Sequence, residues 1–127
     1  MNVASLSAKQ QRMLARASSI AEASTCNQRH GAIVVKGGRV LSVGINRDKN
    51  HPENVPHPKT QAAVHAEVAA VKACGDVNLH GATIYVARVN RAGDQMMSKP
   101  CERCQAFLRE RGIKKIFYTI DSSMNLM

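Results

Sequence analysis

The sequence predicts an α/β domain in which helices pack on a sheet, and three observations lead to this fold class. Segments with helical periodicity alternate along the chain with short runs rich in valine and isoleucine, and turn residues separate them. The hydrophobic fraction is 44%, as in a packed globular protein. The 127 residues fit a single domain, 1–127, which is large enough to fold without disulfides.

The first third of the chain is predicted to hold one helix and one hairpin. Residues 7–23 place apolar side chains on one side of a helix, and a serine is available as the N-cap. Residues 32–35 and 40–45 are predicted strands. The Lys-Gly-Gly-Arg segment between them is a strong hairpin signal.

The centre of the chain is predicted to form a loop, a helix and a strand. Residues 46–61 contain three prolines and no periodicity, which predicts a loop long enough to take part in binding. Valines recur at helical spacing over residues 62–74, and Gly75 follows as a stop signal, so a helix is expected there. Residues 83–89 are predicted to form a strand.

A polar loop, a helix and a last strand are expected in the C-terminal part. They cover residues 90–99, 101–111 and 113–120, and Gly112 ends the helix. Only residues 121–127 follow the last strand. A further strand at this end is therefore expected to be very short or missing.

Two short motifs carry the chemistry. His65 and Glu67 form an H-x-E, while Pro100, Cys101 and Cys104 form a P-C-x-x-C. One imidazole and two thiolates make a three-ligand zinc site, which leaves a fourth tetrahedral position open for water. The combination is the known signature of zinc-dependent nucleobase deaminases. It predicts Zn²⁺ bound by His65, Cys101 and Cys104, with Glu67 as the catalytic group that moves protons.

The spacing of His65 and Glu67 limits where the metal can lie. Two residues that are two positions apart on a helix face different directions, so in mid-helix they would not cooperate around one ion. Near a helix N-terminus, a ligand beyond the end can be approached from both sides. We therefore expect the zinc close to the N-termini of both helices, where exposed N–H groups favour thiolates and hydroxide.

Residues 29–118 resemble the cytidine deaminase superfamily. Five motifs stand in the order that this family uses: Gly31-Ala-Ile-Val-Val, Val43-Gly-Ile-Asn46, His65-Ala-Glu67, Ala82-Thr-Ile-Tyr-Val and Pro100-Cys-x-x-Cys104. The resemblance implies a three-layer α/β/α cytidine-deaminase-like fold with a central mixed sheet of four to five strands. It also implies a homo-oligomer, either a dimer or a tetramer.

The resemblance also implies substrate contacts. The amide of Asn46 would hold the sugar or the base, and the backbone of Ala66 would contact the base. Without the family pattern, an asparagine after a strand is more often a turn residue. Five basic residues flank the loops expected near the pocket and are either phosphate ligands or ordinary solvated positions: Arg29, His30, Arg47, His51 and His57.

The resemblance leaves the substrate branch open. His65 in place of a cysteine is similar to the deoxycytidylate and tRNA-adenosine branches, whereas Ser98-Lys-Pro-Cys is similar to the small nucleoside deaminases. Residues 90–99 separate the third strand from Pro100, whereas in the deoxycytidylate and tRNA-adenosine deaminases the P-C-x-x-C motif follows the strand almost directly. This insertion argues against a close relationship to either branch. It could form a pocket wall or an oligomer contact.

The charge favours anionic ligands. Eighteen lysines and arginines against nine acids give a formal charge of +9, which suits phosphate or nucleic acid, although a solubilising surface is an equal alternative. All four aromatic residues fall inside predicted strands or a helix, whereas single-strand binders usually expose rings for base stacking. Phosphate on a small molecule is therefore favoured over a long polynucleotide.

The expected location is the cytoplasm, with no membrane contact. No run of 18 apolar residues occurs, and the first 14 residues lack a hydrophobic region behind a basic one. In a chain that is not exported, the four cysteines are expected to be metal ligands or free thiols instead of disulfides. Cys26 and Cys74 are predicted to be free thiols without a chemical role.

Three functions are consistent with these observations. The leading one is hydrolytic deamination of a cytosine nucleoside or nucleotide to the uracil product, with release of ammonia. The second is deamination of cytosine or adenine within RNA or single-stranded DNA. The third is a non-catalytic, basic nucleic-acid-binding module, in which a further histidine such as His57 completes a structural zinc site.

Overall fold

A computed structural model describes residues 6–26, 28–48 and 63–121. Three helices and seven strands occur in these segments, and their order is as follows. They are α1 (Ala8–Ala21), β1 (Arg29–Lys36), β2 (Arg39–Ile45), β3 (Arg47–Asp48), β4 (Ala63–Val64), α2 (Ala66–Ala73), β5 (Thr83–Val89), β6 (Gln95–Met96), α3 (Glu102–Glu110) and β7 (Lys115–Tyr118).

The main sheet has five strands and is mixed. Its order is β2-β1-β5-β6, and β7 also pairs with β5. The pairs β1–β2, β1–β5 and β5–β6 are antiparallel, whereas β5 and β7 run parallel. The fifth strand is β6, which lies inside the segment 90–99 that was predicted to be a loop. The sheet therefore gains its extra strand from the insertion.

Side chains on the two faces of the sheet build two separate cores. One face of β1 and β5 packs against α2 and α3 through Ala32, Val34, Ile84, Val86 and Leu108, together with other buried residues. The other face packs against α1, which contributes Met13, Leu14 and Ala17. Successive strand residues alternate between these cores, as a pleated strand requires. The expected three-layer α/β/α arrangement is confirmed.

The first helix and the first hairpin follow the prediction closely. Ser7 is the N-cap of α1, and its hydroxyl accepts from the Gln10 backbone while the Gln10 side chain accepts from Ser7 N–H. At the hairpin tip, Gly37 and Gly38 have φ of 59° and 78°, the pair of positive angles that a tight type I′ turn needs.

The second helix begins four residues later than predicted. Residues 62–74 were expected to be helical, but α2 starts at Ala66. Before it, Ala63 and Val64 form β4 and pair with β3, which occupies the beginning of the predicted loop 46–61. The backbone of this segment is thus held in strand pairing. Residues 49–62, with His51 and His57, lie outside the described residues.

The helices approach the sheet most closely at two glycines. A Cβ on Gly31 would lie 2.5 Å from Ala17 O in α1. A Cβ on Gly44 would lie 2.5 Å from Ala70 N and 2.8 Å from Ala66 O in α2. Backbone atoms occupy these positions, so a side chain cannot be accommodated by rotation. Gly44 therefore sets the distance between β2 and the helix that follows His65.

In the described part of the chain, every helix is too short or too polar to cross a membrane.

We predict that Gly44→Ala destabilises the protein by about 1–3 kcal/mol, because the added methyl group pushes α2 away from β2. Urea denaturation followed by circular dichroism measures this change. Val43→Ala is the matched control, since Val43 is 47% exposed, and it should cost less than about 1 kcal/mol. Equal stability of Gly44→Ala and the parent protein would show that the close approach is not a constraint.

Candidate active site

Two helix N-termini meet at one end of the sheet and bring the motif residues together. His65 is the N-cap of α2, with φ −71° and ψ 148°, and Cys101 is the N-cap of α3. Because His65 lies just before the helix, its side chain does not have to point away from that of Glu67, as it would if both residues were within the helix. His65 Nδ1 lies 3.0 Å from Cys104 Sγ. The arrangement matches the requirement derived from the H-x-E spacing.

The three donor atoms are close enough to share one ion. The ligand atoms of His65, Cys101 and Cys104 lie within 4.8 Å of one another. Donors bound at 2.0–2.3 Å to a tetrahedral zinc ion are about 3.4–3.8 Å apart, so small adjustments suffice. In residues 6–26, 28–48 and 63–121, this is the one such group of three or more His, Cys, Asp or Glu side chains. One imidazole and two thiols fit Zn²⁺.

Two ionisable side chains of the site, Cys104 and Glu67, are buried next to each other. Burial raises the pKa of the Cys104 thiol, and the neighbouring Glu67 carboxylate raises it further. Burial likewise raises the pKa of Glu67, which is only 4% exposed. A divalent ion would reverse this preference and hold both sulfurs as thiolates.

A cavity of about 390 Å³ opens beside the donors, a volume within the range of small-molecule sites. Five of the six predicted site residues line it, namely Asn46, His65, Ala66, Glu67 and Cys101. Cys104 is buried behind them and contacts His65. These six residues thus lie together at one end of the sheet.

Asn46 has a structural role in addition to its place in the cavity wall. Its Oδ1 accepts from Ser24 Oγ at 2.6 Å and from His30 N at 2.9 Å, and its Nδ2 donates to Gln28 O at 2.6 Å. The amide thereby joins the end of β2 to the segment before β1. One N–H of Nδ2 is left for a ligand, since the group carries two.

The loop that precedes Cys101 is held by a pair of buried hydroxyls. Ser98 and Thr119 are 3% and 1% exposed, and their hydroxyl oxygens lie 2.9 Å apart. Thr119 Oγ1 donates to Met96 O at 2.6 Å, while Ser98 Oγ donates to Val86 O at 2.8 Å. The insertion is therefore attached to β5 and to the chain after β7, and it forms a wall of the cavity.

Several residues of the cavity were not predicted. Gln28, Ser98 and Lys99 line it, and the last two belong to the Ser98-Lys-Pro-Cys segment. Cys26 was expected to have no role, yet it also lines the cavity, because the segment before β1 folds over the end of β2. Cys74 is buried and free, as expected.

The basic residues predicted to flank the pocket do not all line the cavity. His30 lines the cavity, whereas the guanidinium of Arg29 donates to Asn90 O. Arg47 lies in a second groove with Lys72, between β2 and α2. Only His30, of the three candidates in the described residues, faces the cavity.

The model of one protein family matches residues 7–120, and it describes the cytidine and deoxycytidylate deaminase zinc-binding region. The match includes all the cavity-lining residues. No curated protein matches the chain in sequence.

Solved deaminase structures share the fold. The dCMP deaminase from cyanophage S-TIM5 superimposes with a TM-score of 0.68 and 21% identity, covering 89% of this chain and 84% of its own. A second structure of that protein contains dCMP and dUMP. Cytidine deaminase from Mycobacterium leprae gives 0.58 and 23%, covering 87% and 89% of the two chains. Guanine deaminase from Bacillus subtilis gives 0.58 and 20%, covering 89% and 65%.

We predict that Thr119→Val destabilises the protein by about 1–3 kcal/mol, because the isosteric side chain removes the hydroxyl that donates to the Met96 carbonyl and accepts from the Arg88 backbone N–H. Chemical denaturation measures the free energy of unfolding. Thr119→Ser keeps the hydroxyl and should retain most of the stability. If the valine variant is as stable as the serine variant, the hydroxyl pair does not hold the loop.

Proposed function

Because the chain belongs to the cytidine and deoxycytidylate deaminase family, we propose that it hydrolyses the amino group of a cytosine nucleoside or nucleotide, giving the uracil product and ammonia. The observation that carries this proposal is the meeting of His65, Cys101 and Cys104 beside buried Glu67 at the end of a cavity. In the proposal, residues 1–127 act as one deaminase-like domain.

In the proposed site, His65, Cys101 and Cys104 bind Zn²⁺. The bound ion lowers the pKa of a water molecule from near 16 towards roughly 7 and so supplies hydroxide at neutral pH. The cavity lies on the side of His65 and Cys101, whereas Cys104 is buried. These three residues would therefore hold the ion at the cavity wall, where it would be accessible to a water molecule from the cavity.

Glu67 is proposed to move the protons. Its carboxylate takes a proton from the attacking water and passes it to ring nitrogen N3 of cytosine. It then transfers the proton of the new C4 hydroxyl to the amino group, which leaves as ammonia while the C4 carbonyl of the uracil product forms. Its position supports this role, because Glu67 is buried and lines the cavity next to His65. The amide of Asn46 and the backbone of Ala66 are proposed to hold the sugar and the base. Both residues line the cavity.

Deamination within a polynucleotide has one observation in its favour, the formal charge of +9. Against it, Tyr85 and Phe117 are 5% and 4% exposed and stack on each other, so neither ring is available to a base. Affinity for a polynucleotide would fall steeply as the salt concentration rises, whereas for a mononucleotide the slope of log affinity against log salt would be near one or two. Measuring the affinity for the preferred substrate at several salt concentrations therefore distinguishes a polynucleotide substrate from a mononucleotide.

We predict that Glu67→Gln retains one zinc per chain but loses about a hundredfold to ten-thousandfold in turnover, the usual contribution of a positioned acid or base. Ammonia release from cytosine nucleosides, nucleotides and oligonucleotides measures activity, and metal analysis measures zinc. Glu102→Gln is the control with the same charge change, since Glu102 is exposed in the first turn of α3. Normal turnover by Glu67→Gln would refute its role.

We predict that removing zinc with a chelator abolishes activity while the domain stays folded. The three donors lie at one end of the sheet, and the two hydrophobic cores do not depend on them. Circular dichroism should keep its helical signal, and added Zn²⁺ should restore turnover. Unfolding on metal removal would instead indicate the structural zinc of a non-catalytic module.

A further inference from the structure

The outer edge of β2 is open in the part of the chain that the structure describes. There β2 is a terminal strand of the main sheet and pairs with β1 alone. Its residues from Val40 to Ile45 include neither a charged residue nor a proline, and Val40 and Val43 are 40% and 47% exposed. Edge strands usually carry charges, prolines or a covering segment that prevents pairing with another chain. This uncharged edge is therefore suited to accept a further strand.

The hydrogen-bonding register shows which backbone groups face this edge. Asn46 N donates to His30 O at 3.3 Å, so the backbone of Asn46 points towards β1. In an antiparallel ladder, successive residues direct their backbone groups alternately towards the partner strand and away from it. The ladder has no bulge in this stretch. Gly44 therefore faces β1, whereas the N–H and C=O groups of Val43 and Ile45 point outward.

These outward backbone groups lie at the second groove, which is formed by β2 and α2 and has a volume of about 410 Å³. Val43 and Ile45 line the groove from the strand, and Ala69 and Ala73 line it from the helix. The small alanine side chains leave room beside the strand for another extended chain. Addition of a strand to an exposed sheet edge is the mode in which PDZ and PTB domains bind peptides.

The side chains of an added strand would project into two different surroundings. Val43 is the register partner of Ile33, which belongs to the core against α1, so the edge is aliphatic on that face. On the other face lies α2, where Lys72 is exposed and lines the groove. Successive residues of a strand point to opposite faces. A segment in which aliphatic residues alternate with acidic ones therefore matches both faces.

The charge of the groove favours an acidic partner over a second copy of this chain. Among the described residues that line it, the charged ones are Arg47 and Lys72, and both are basic. A symmetric contact between two copies would place both pairs of basic residues along one interface. Two chains with a formal charge of +9 also repel each other. Carboxylates on the bound segment would instead be attracted to the groove.

We propose that the groove between β2 and α2 binds an extended acidic segment of another protein, which adds to the edge of β2 as a strand. Its backbone pairs with the outward groups of Val43 and Ile45. Its aliphatic side chains extend the face against α1, and its carboxylates face Lys72. The residues that line this groove and those that line the active-site cavity are different, so binding here does not depend on the proposed deamination.

A fluorescein-labelled peptide of eight residues, with alternating valine and glutamate, tests the proposal by fluorescence anisotropy with the full chain. The parent should bind it saturably, and an analogue with lysine in place of glutamate should bind at least tenfold more weakly. Lys72→Glu should weaken binding at least tenfold, because the carboxylates then face a like charge. Lys9→Glu makes the same charge change at an exposed position of α1 and should bind like the parent.

Two results of this binding experiment would overturn the proposal. One is the absence of binding to the parent, and the other is an equal loss of affinity in the Lys72→Glu and Lys9→Glu variants. An equal loss would mean that the peptide responds to the net charge of the protein and not to the groove.

N-methylated peptides distinguish strand addition from ionic attraction alone. Methyl groups on every second peptide nitrogen remove the hydrogen-bond donors from one edge of an extended peptide. Of the two alternate sets, one should weaken binding at least tenfold and the other should leave it unchanged. If both sets have the same effect, the peptide does not bind as a strand.

Amide hydrogen exchange locates the bound peptide. Exchange at Val43 and Ile45 should slow when the peptide binds, whereas exchange at Gly44 should not change, since its N–H already faces β1. Unchanged exchange at Val43 and Ile45 would place the peptide elsewhere. Protection of these two amides that rises with protein concentration, without peptide, would show that a second copy covers the edge. Either of these results contradicts the proposal.

Discussion

His65 and Cys104 meet because two helices begin at the same end of the sheet, and much of the molecule serves to keep those two helix starts together. Gly44 lets α2 lie directly on β2, with Ala70 N and Ala66 O where a side chain would otherwise stand. Ser98 and Thr119 hold the segment that leads into α3. The 3.0 Å contact between the imidazole and the thiol is the result of both attachments.

The same end of the sheet contains buried ionisable groups, which destabilise the folded state. Glu67 and Cys104 are buried ionisable side chains, and Arg88 contributes a buried guanidinium nitrogen with no partner in the described residues. Such groups are costly in an apolar interior unless a ligand completes them. The opposite face of the sheet, against α1, contains an apolar core with Tyr85 stacked on Phe117. The face against α2 and α3 thus contains both an apolar core and, at its end, the ionisable groups of the site.

Much of the fold and the site was predictable from the sequence, for reasons that particular residues illustrate. The strand Thr83–Val89 was predicted with its observed bounds, because β-branched residues stand between turn signals. The motif residues were found because the metal site depends on residue types at short spacing. What sequence reasoning missed depends on contacts between distant segments. The β6 strand exists through pairing with β5, and Thr119 meets Ser98 from 21 residues away.

The tip of the first hairpin lies at the far end of β1 from the cavity. Lys36 lies six residues after His30 along this extended strand, a span of about 20 Å. Nothing lies within 4 Å of the positions where Gly37 and Gly38 would bear a Cβ. Because both glycines need their positive φ, a fluorophore or a linker to a sensor surface is better attached at the exposed neighbour Arg39, where it can report ligand binding without touching the cavity.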